Sequence, residues 1–269
     1  MSGFFYQKTV VITGGSMGIG RAMAELLLAQ GANVAVCARS QSGLDEMKQH
    51  HASDSLFLMT ADVAVESDCI SFIEKVINRF GGIDVLINNA GISMKGDFRD
   101  TDTAVIKKLM DINFMGMVYC TKPALESIIN RKGTIVGISS IAGYRGLPGR
   151  SGYSASKFAM NGWLEALRTE LLETGVNVLW ASPGFTKSNI RQVALMDGNQ
   201  VQGKSPLNED KLMTPETCAA IILKAIEKRK RTVVMTFQGK RTVFLNKFFP
   251  GLADKLARNF FYKNGKLIK

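Results

Sequence analysis

Tyr153 and Lys157 stand four residues apart in "YSASK", within a stretch whose spacing reads as helix, so their side chains share one helix face. A phenol titrates near about 10, too high for easy proton exchange at neutrality, and an ammonium one turn away stabilises the phenolate. Such a pair can give a proton to a bound oxygen or take one from it. Ser139 and Ser140 close an apolar run shortly before the tyrosine, and either hydroxyl could hold the same oxygen. Most isolated tyrosine–lysine pairs are two ordinary exposed residues, so the rest of the chain has to supply a reason for this one.

Other chemistries lack their residues. The only histidines, His50 and His51, are adjacent in a polar stretch, which fits neither a Ser-His-Asp hydrolase nor a His-ligated metal enzyme. Cys37, Cys69, Cys120 and Cys218 are far apart in sequence and form no CxxC pair, so they read as small buried hydrophobes in a reducing compartment. No metal site is expected.

The elements around the pair alternate. Runs rich in β-branched residues appear at Thr9–Thr13, Asn33–Ala38, Ser55–Thr60, Asp84–Asn88, Gly133–Ser139 and Gly175–Ala181, with a probable seventh at "TVVMTF". Several are apolar nearly throughout, as strands covered on both faces are. Between them, apolar residues recur at three and four in "GIGRAMAELLLAQG", "SDCISFIEKVINRFGG" and "FAMNGWLEALRTELLETG", often closed by Gly. The pattern predicts an α/β fold, a Rossmann-like doubly wound parallel sheet of about seven strands with helices on both faces. Residues 1–269 read as one domain, with a substrate loop over about 185–214 and a helix starting at Pro215 behind a capping Thr214.

The chain of 269 residues can bury a substantial core, and 46% hydrophobic with 21% charged residues excludes global disorder. The N-terminus enters a strand at once, so a cleaved signal peptide is not expected, and no apolar stretch reaches the roughly 18 residues of a membrane span. The expected location is cytoplasmic. The net charge of +11 is local: residues 224–269 hold thirteen Lys or Arg against two acids, which leaves the rest balanced. No recognition motif accompanies that charge, so nucleic acid is not expected as a partner.

After the first strand comes "TGGSMGIG", with Gly14, Gly18 and Gly20 spaced GxxxGxG at a strand-to-helix turn. Such a turn lets backbone approach a pyrophosphate and offers the unpaired N–H groups of a helix start. The end of the second strand discriminates between nucleotides. An acid there would bind ribose hydroxyls, but the chain reads "CARS", with Ala38 in that place, then Arg39 and Ser40. A guanidinium and a hydroxyl suit a 2′-phosphate, so the expected cofactor is NADP(H).

"TGGSMGIG", "NNAG" (Asn88–Gly91), Asn113 in "MDINFMG", "ISS" before "IAG", "YSASK" and "SPGF" (Ser182–Phe185) occur in the order and spacing of one family. Over residues 8 to about 190 the chain resembles the short-chain dehydrogenase/reductase family, in an NADP(H)-type form. The resemblance implies hydride transfer between nicotinamide and a carbonyl or secondary alcohol. It selects Ser140 over Ser139 and makes Asn113, Ser140, Tyr153 and Lys157 the catalytic set, with Asn113 ordering water beside Lys157. It places Gly14, Ser16, Met17, Gly18, Ile19 and Gly20 at the phosphates and ribose, and Asp62 with Val63 at the adenine. Asn89, Ala90 and Gly91 would pass beneath the cofactor, Tyr153 and Lys157 would touch it, and Pro183, Gly184 and Phe185 would border the nicotinamide. Ser188 stands at the place of the usual carboxamide threonine, with Thr186 nearby. Family members usually pair long helices, so a homodimer or homotetramer is expected, with Trp163, Leu164 and Leu167 either at that interface or simply core.

Specificity is expected from Met94, Tyr144, Leu147 and Phe185, with Arg145, Arg150, Lys187 and Arg191 as basic candidates. These fit a lipid-like or steroid-like ketone, or a ketone on an acyl thioester; a regulator that has lost catalysis is the third reading. In the C-terminal segment, about 240–269, Phe248, Phe249, Leu252, Leu256, Phe260 and Phe261 could form a helical stripe around Pro250 among cations. That basic amphipathic segment would lie on an anionic membrane surface or pack on a neighbouring subunit. It also resembles the C-terminal part of the 11β-hydroxysteroid dehydrogenase-like and ketosphinganine reductase-like branches, which favours hydrophobic substrates.

Overall fold

The β-branched runs form a parallel seven-stranded sheet: β1 (Thr9–Thr13), β2 (Asn33–Ala38), β3 (Leu56–Thr60), β4 (Val85–Asn88), β5 (Thr134–Ile138), β6 (Asn177–Ser182) and β7 (Thr232–Val234). The strand order is β3-β2-β1-β4-β5-β6-β7. The computed structural model describes residues 3–51, 53–196, 202–203 and 212–268. Side chains alternate along each strand, and both faces are covered. Val10, Ile12, Val34, Val36, Val85 and Ile87 enter one core, while Val11, Ala35 and Leu86 enter the other. This explains why the runs are apolar throughout rather than at every second residue.

The connecting helices are α1 (Gly18–Ala29), α2 (Gln41–His50), α3 (Glu66–Phe80), α4 (Thr103–Met110), α5 (Gly116–Asn130), α6 (Ser151–Glu170) and α7 (Pro215–Glu227). The first, second and seventh pack on one face, and α3 to α6 on the other. In α3 the buried residues Cys69, Phe72, Ile73 and Val76 follow the helical spacing, and Gly81 ends the helix at φ +73°. Thr214 caps α7 by accepting from Thr217 N at 3.2 Å, with Pro215 in the first turn.

Two expectations about packing are refined. Leu164 and Leu167 are core, 0% and 7% exposed, and do not form an outer face. The exposed face of α6 carries Ala155, Phe158, Gly162 and Ala166 instead. The cysteines are buried free thiols, as expected of small hydrophobes, but distance along the chain concealed that Cys37, Cys69 and Cys120 meet in the core. Burial pushes the Cys37 thiol up to about 12, so it stays protonated.

The C-terminal segment forms two helices, α8 (Phe237–Phe248) and α9 (Pro250–Phe261), and a two-stranded ribbon of β8 (Tyr262–Lys263) and β9 (Lys266–Leu267). Pro250 occupies the first turn of α9, where its missing N–H costs nothing, so one continuous stripe does not form. Phe261 is buried and Phe260 stacks on Phe185 with centroids 6.4 Å apart, while Phe244, Phe248, Phe249, Leu252 and Leu256 remain exposed. The inner side is strapped to the chain's own loops. Arg145 donates to Asn246 Oδ1 at 2.9 Å and Asp254 Oδ1 at 2.6 Å, Asn246 Nδ2 to Tyr144 O at 2.9 Å, and Tyr262 Oη to Asp97 Oδ2 at 3.1 Å.

Within the expected substrate loop, Asn189–Arg191 forms a 3-10 turn and Thr186 bridges to Met213. Residues 197–201 and 204–211 of that loop lie outside the described residues. Among the described residues no helix is long and apolar enough to cross a membrane.

Candidate active site

Between β1 and β4 the connections leave in opposite directions, and the crevice beyond their carboxyl ends is where such sheets bind ligands. Thr13 clamps the two strand ends. Its hydroxyl accepts from Asn89 N at 3.1 Å and Ala90 N at 3.0 Å, while Asn89 Nδ2 donates to Thr13 O at 3.0 Å and Gly14 O at 2.9 Å. Gly14 and Gly18 sit at φ +63° and +56°, the left-handed region that disfavours a side chain. At Gly20 the constraint is space: a Cβ would lie 2.5 Å from Asn89 Nδ2 and 2.6 Å from Gly14 O. No side chain caps α1 at Met17, so its first N–H groups are available to a ligand anion.

A cleft of about 370 Å³ runs from this turn to α6, and every expected cofactor contact lines it except Asp62. Asp62 Oδ1 instead accepts from Ala64 N at 3.0 Å, which spends the carboxylate on its own turn, while Ala61 and Val63 on either side do reach the cleft. Both Thr186 and Ser188 line it; Thr186 is buried and donates its hydroxyl to Gly184 O at 3.2 Å. Arg39 and Ser40 are exposed at the β2 end, and the described lining residues include no Asp or Glu. The glycine turn and the free helix start fit the pyrophosphate of a nicotinamide dinucleotide.

At the other end the candidate proton-transfer groups Ser140, Tyr153 and Lys157 share the lining. Ser140 follows β5, accepts from Ala142 N at 3.1 Å, and lines the cleft with Tyr153, whose phenol it helps to acidify. Ser139 also lines the cleft, but its buried hydroxyl has no partner among the described residues. Lys157 Nζ is buried, donates to Ile138 O at 2.8 Å, and lies 5.8 Å from the Tyr153 ring centroid. Asn113 sits outside the cleft lining, in a π-helical turn (Asp111–Met115) between α4 and α5. Its Oδ1 accepts from Ile92 N at 2.8 Å, and its Nδ2 donates to Ile92 O at 3.0 Å and Ser156 Oγ at 2.9 Å. A Cβ on Gly91 would be 3.1 Å from Asn113 Oδ1 and 3.6 Å from Lys157 Nζ, so the two side chains are neighbours across that glycine.

The electrostatics differ from the simple tyrosine–lysine expectation. Burial raises the Tyr153 pKa, and the groups that pull it back are the Ser140 hydrogen bond, Arg150 and Arg191, not Lys157. Burial lowers Lys157 to about 8, so without a ligand it loses its proton before the phenol does and is neutral when a phenolate would form.

Of the specificity candidates, Leu147, Phe185, Arg150 and Arg191 line the cleft, and Lys187 lies in an adjoining hollow with Ser188. Arg145 is a strut to the C-terminal helices, Tyr144 Oη accepts from Trp180 Nε1 at 2.7 Å, and Met94 is core, so none of these three lines it. Sequence reasoning missed Thr13, which reads simply as the last strand residue, and the strap formed by α8 and α9.

The sheet and the cleft define a nucleotide-binding α/β oxidoreductase. A family model described as short chain dehydrogenase matches residues 8–197, and the chain belongs to the short-chain dehydrogenase/reductase family, whose chemistry is nicotinamide-dependent oxidoreduction. It is 36% identical over 257 residues to dehydrogenase/reductase SDR family member 7B of Mus musculus, over 93% of this chain and 80% of that protein. It is 33% identical over 264 residues to the uncharacterized oxidoreductase YxnA of Bacillus subtilis, over 95% of this chain and 72% of that one. Among solved structures, a short-chain dehydrogenase from Streptomyces avermitilis superposes with TM-score 0.80 at 26% identity, over 95% of this chain and all of that one. A short chain dehydrogenase/reductase from Burkholderia phymatum in complex with NAD shares the fold, with TM-score 0.82 at 20% identity over 92% of this chain and 95% of that one.

Proposed function

We propose that this chain is an NADP(H)-dependent carbonyl reductase acting on a ketone of a hydrophobic, lipid-like or steroid-like molecule. One observation carries the reading: Ser140, Tyr153 and Lys157 together line one end of a cleft whose far end presents Arg39 and no carboxylate. The bound nicotinamide supplies the hydride. Ser140 holds the carbonyl oxygen, and Tyr153 gives it a proton as charge develops there. Lys157 binds ribose hydroxyls and, charged by that contact, lowers the phenol's pKa. Asn113 holds the chain around Ile92 and, with Lys157, orders the water that returns the proton. Leu147, Phe185 and Val193 supply the apolar wall. A ketone on an acyl thioester meets the same groups; the presence of all four catalytic residues argues against an inactive regulator. Purified protein should oxidise NADPH with at least one member of a panel of keto-lipids, steroids, acyl thioesters and small diketones. Silence across the panel would favour the regulator.

The reading extends to surroundings. The small-residue face of α6 at Ala155, Phe158, Gly162 and Ala166 supports pairing of chains, and Phe244, Phe248, Phe249 and Leu252 beside Lys240, Arg241, Lys247 and Lys255 support contact with an anionic membrane. Sedimentation tests both. Alone, the protein should run at two or four times its chain mass, and with anionic vesicles it should pellet, less so in high salt. A Phe248→Ser, Leu252→Ser variant should stay in solution. Deleting the segment would be uninformative, because its inner side braces the substrate loops. A monomer that ignores vesicles would remove both extensions.

A further inference from the structure

The substrate end of the cleft carries a positive charge that a dinucleotide does not use. Phosphates belong at the glycine turn and at Arg39, and ribose at Lys157, yet Arg150 lines the opposite end, beside Leu147 and Tyr153. It is the cap residue before α6, three positions ahead of the tyrosine, and half-buried. One guanidinium nitrogen, Nη1, is fixed by neutral acceptors, Ser93 Oγ and Met94 O, both at 2.9 Å. Among the described residues no carboxylate pairs with Arg150, and its Nε and Nη2 donate to no described group. Arg191, anchored on Thr186 O at 2.8 Å, adds a second cation to the same wall.

A guanidinium taken partly out of water needs an opposite charge to offset its desolvation, and here burial and the neighbouring Arg191 both disfavour its proton. A rigid fork on a cleft wall, with one nitrogen tethered and the others without a described acceptor, is suited to grip a planar or tetrahedral oxyanion. We propose that Arg150 is a specificity-determining residue that binds an anionic group, carboxylate or phosphate, carried by the substrate near its carbonyl. The inference deepens the reductase reading and rests on it: the substrate is then an amphiphile, with its apolar part on Leu147, Phe185 and Val193 and its charge on Arg150.

Equilibrium binding needs no turnover and so separates the two readings. Hexanoate, hexyl phosphate and hexan-1-ol would be titrated calorimetrically in a phosphate-free buffer, with saturating NADP+ occupying the phosphate end. The parent should bind hexanoate or hexyl phosphate roughly 10- to 100-fold more tightly than hexan-1-ol, the range of one charge-assisted pair. Which of the two binds more tightly separates carboxylate from phosphate recognition. Arg150→Met should erase the preference and Arg150→Lys should keep part of it. Equal affinity for all three ligands, no binding of any, or a preference that survives in Arg150→Met overturns the proposal. Should Arg150→Met not fold, Arg150→Gln replaces it. Absence of NADP+ binding would sink the cofactor reading alone, because Arg39 is common to parent and variant and the comparison between them still stands.

Discussion

Tyr153→Phe should lower turnover by about a thousandfold while NADPH still binds, because it removes one oxygen from a cleft that keeps its shape. Loss of a positioned acid costs two to four orders of magnitude in general. The middle of that range applies here, since the Ser140 hydroxyl beside the phenol is far less acidic and cannot replace it. Cofactor affinity is the control, because the glycine turn and Arg39 are remote from the phenol. Alcohol oxidation by the parent should climb as pH rises above neutrality, since burial holds the phenol above its ordinary value and the phenolate is the form that takes the proton. Steady-state rates of both proteins from pH 6 to pH 10 check this. A variant within a few-fold of the parent would mean that another group moves the proton.

Ala38→Asp combined with Arg39→Ile should shift the NADPH-to-NADH ratio of kcat/KM by roughly a hundredfold or more. Two effects add. Removing the guanidinium forfeits a charge-assisted contact to the 2′-phosphate, and the new carboxylate repels that phosphate while accepting from a free ribose hydroxyl. Ala38 and Arg39 both line the cleft where β2 ends, and Arg39 is exposed, so the exchange disturbs little packing. Initial rates with each coenzyme decide the matter. An unchanged ratio would show that the phosphate is held elsewhere, with Ser16 and Ser40 the next groups to examine.

Elements whose signal is local were legible in the sequence. The β1 and β2 boundaries agree to the residue with the runs Thr9–Thr13 and Asn33–Ala38, because strands covered on both faces announce themselves by unbroken apolarity. Thr214 and Pro215 fixed the start of α7 by capping chemistry alone. What could not be read depends on partners distant in sequence. Asp62 was available to a ligand on paper, and only the fold shows it bonded to Ala64 N. Arg145 and Arg150 looked interchangeable, yet one is tied to Asn246 and Asp254 and the other lines the cleft. Lys157 was read as an ordinary ammonium, and only the fold shows the burial that lowers its pKa to about 8. Leu164 and Leu167 lie on the inward side of α6, which the spacing alone did not orient.

The ties from Tyr144 and Arg145 to Asn246 and Asp254, and from Asp97 to Tyr262, set an order for the nascent polypeptide. The sheet needs nothing beyond β7, so a nucleotide half can assemble while the residues that follow β7 are still inside the ribosome. The wall that faces the substrate stays unbraced until those residues emerge. Premature termination in that stretch should therefore release a molecule that keeps the glycine turn but has lost the bracing of the opposite wall.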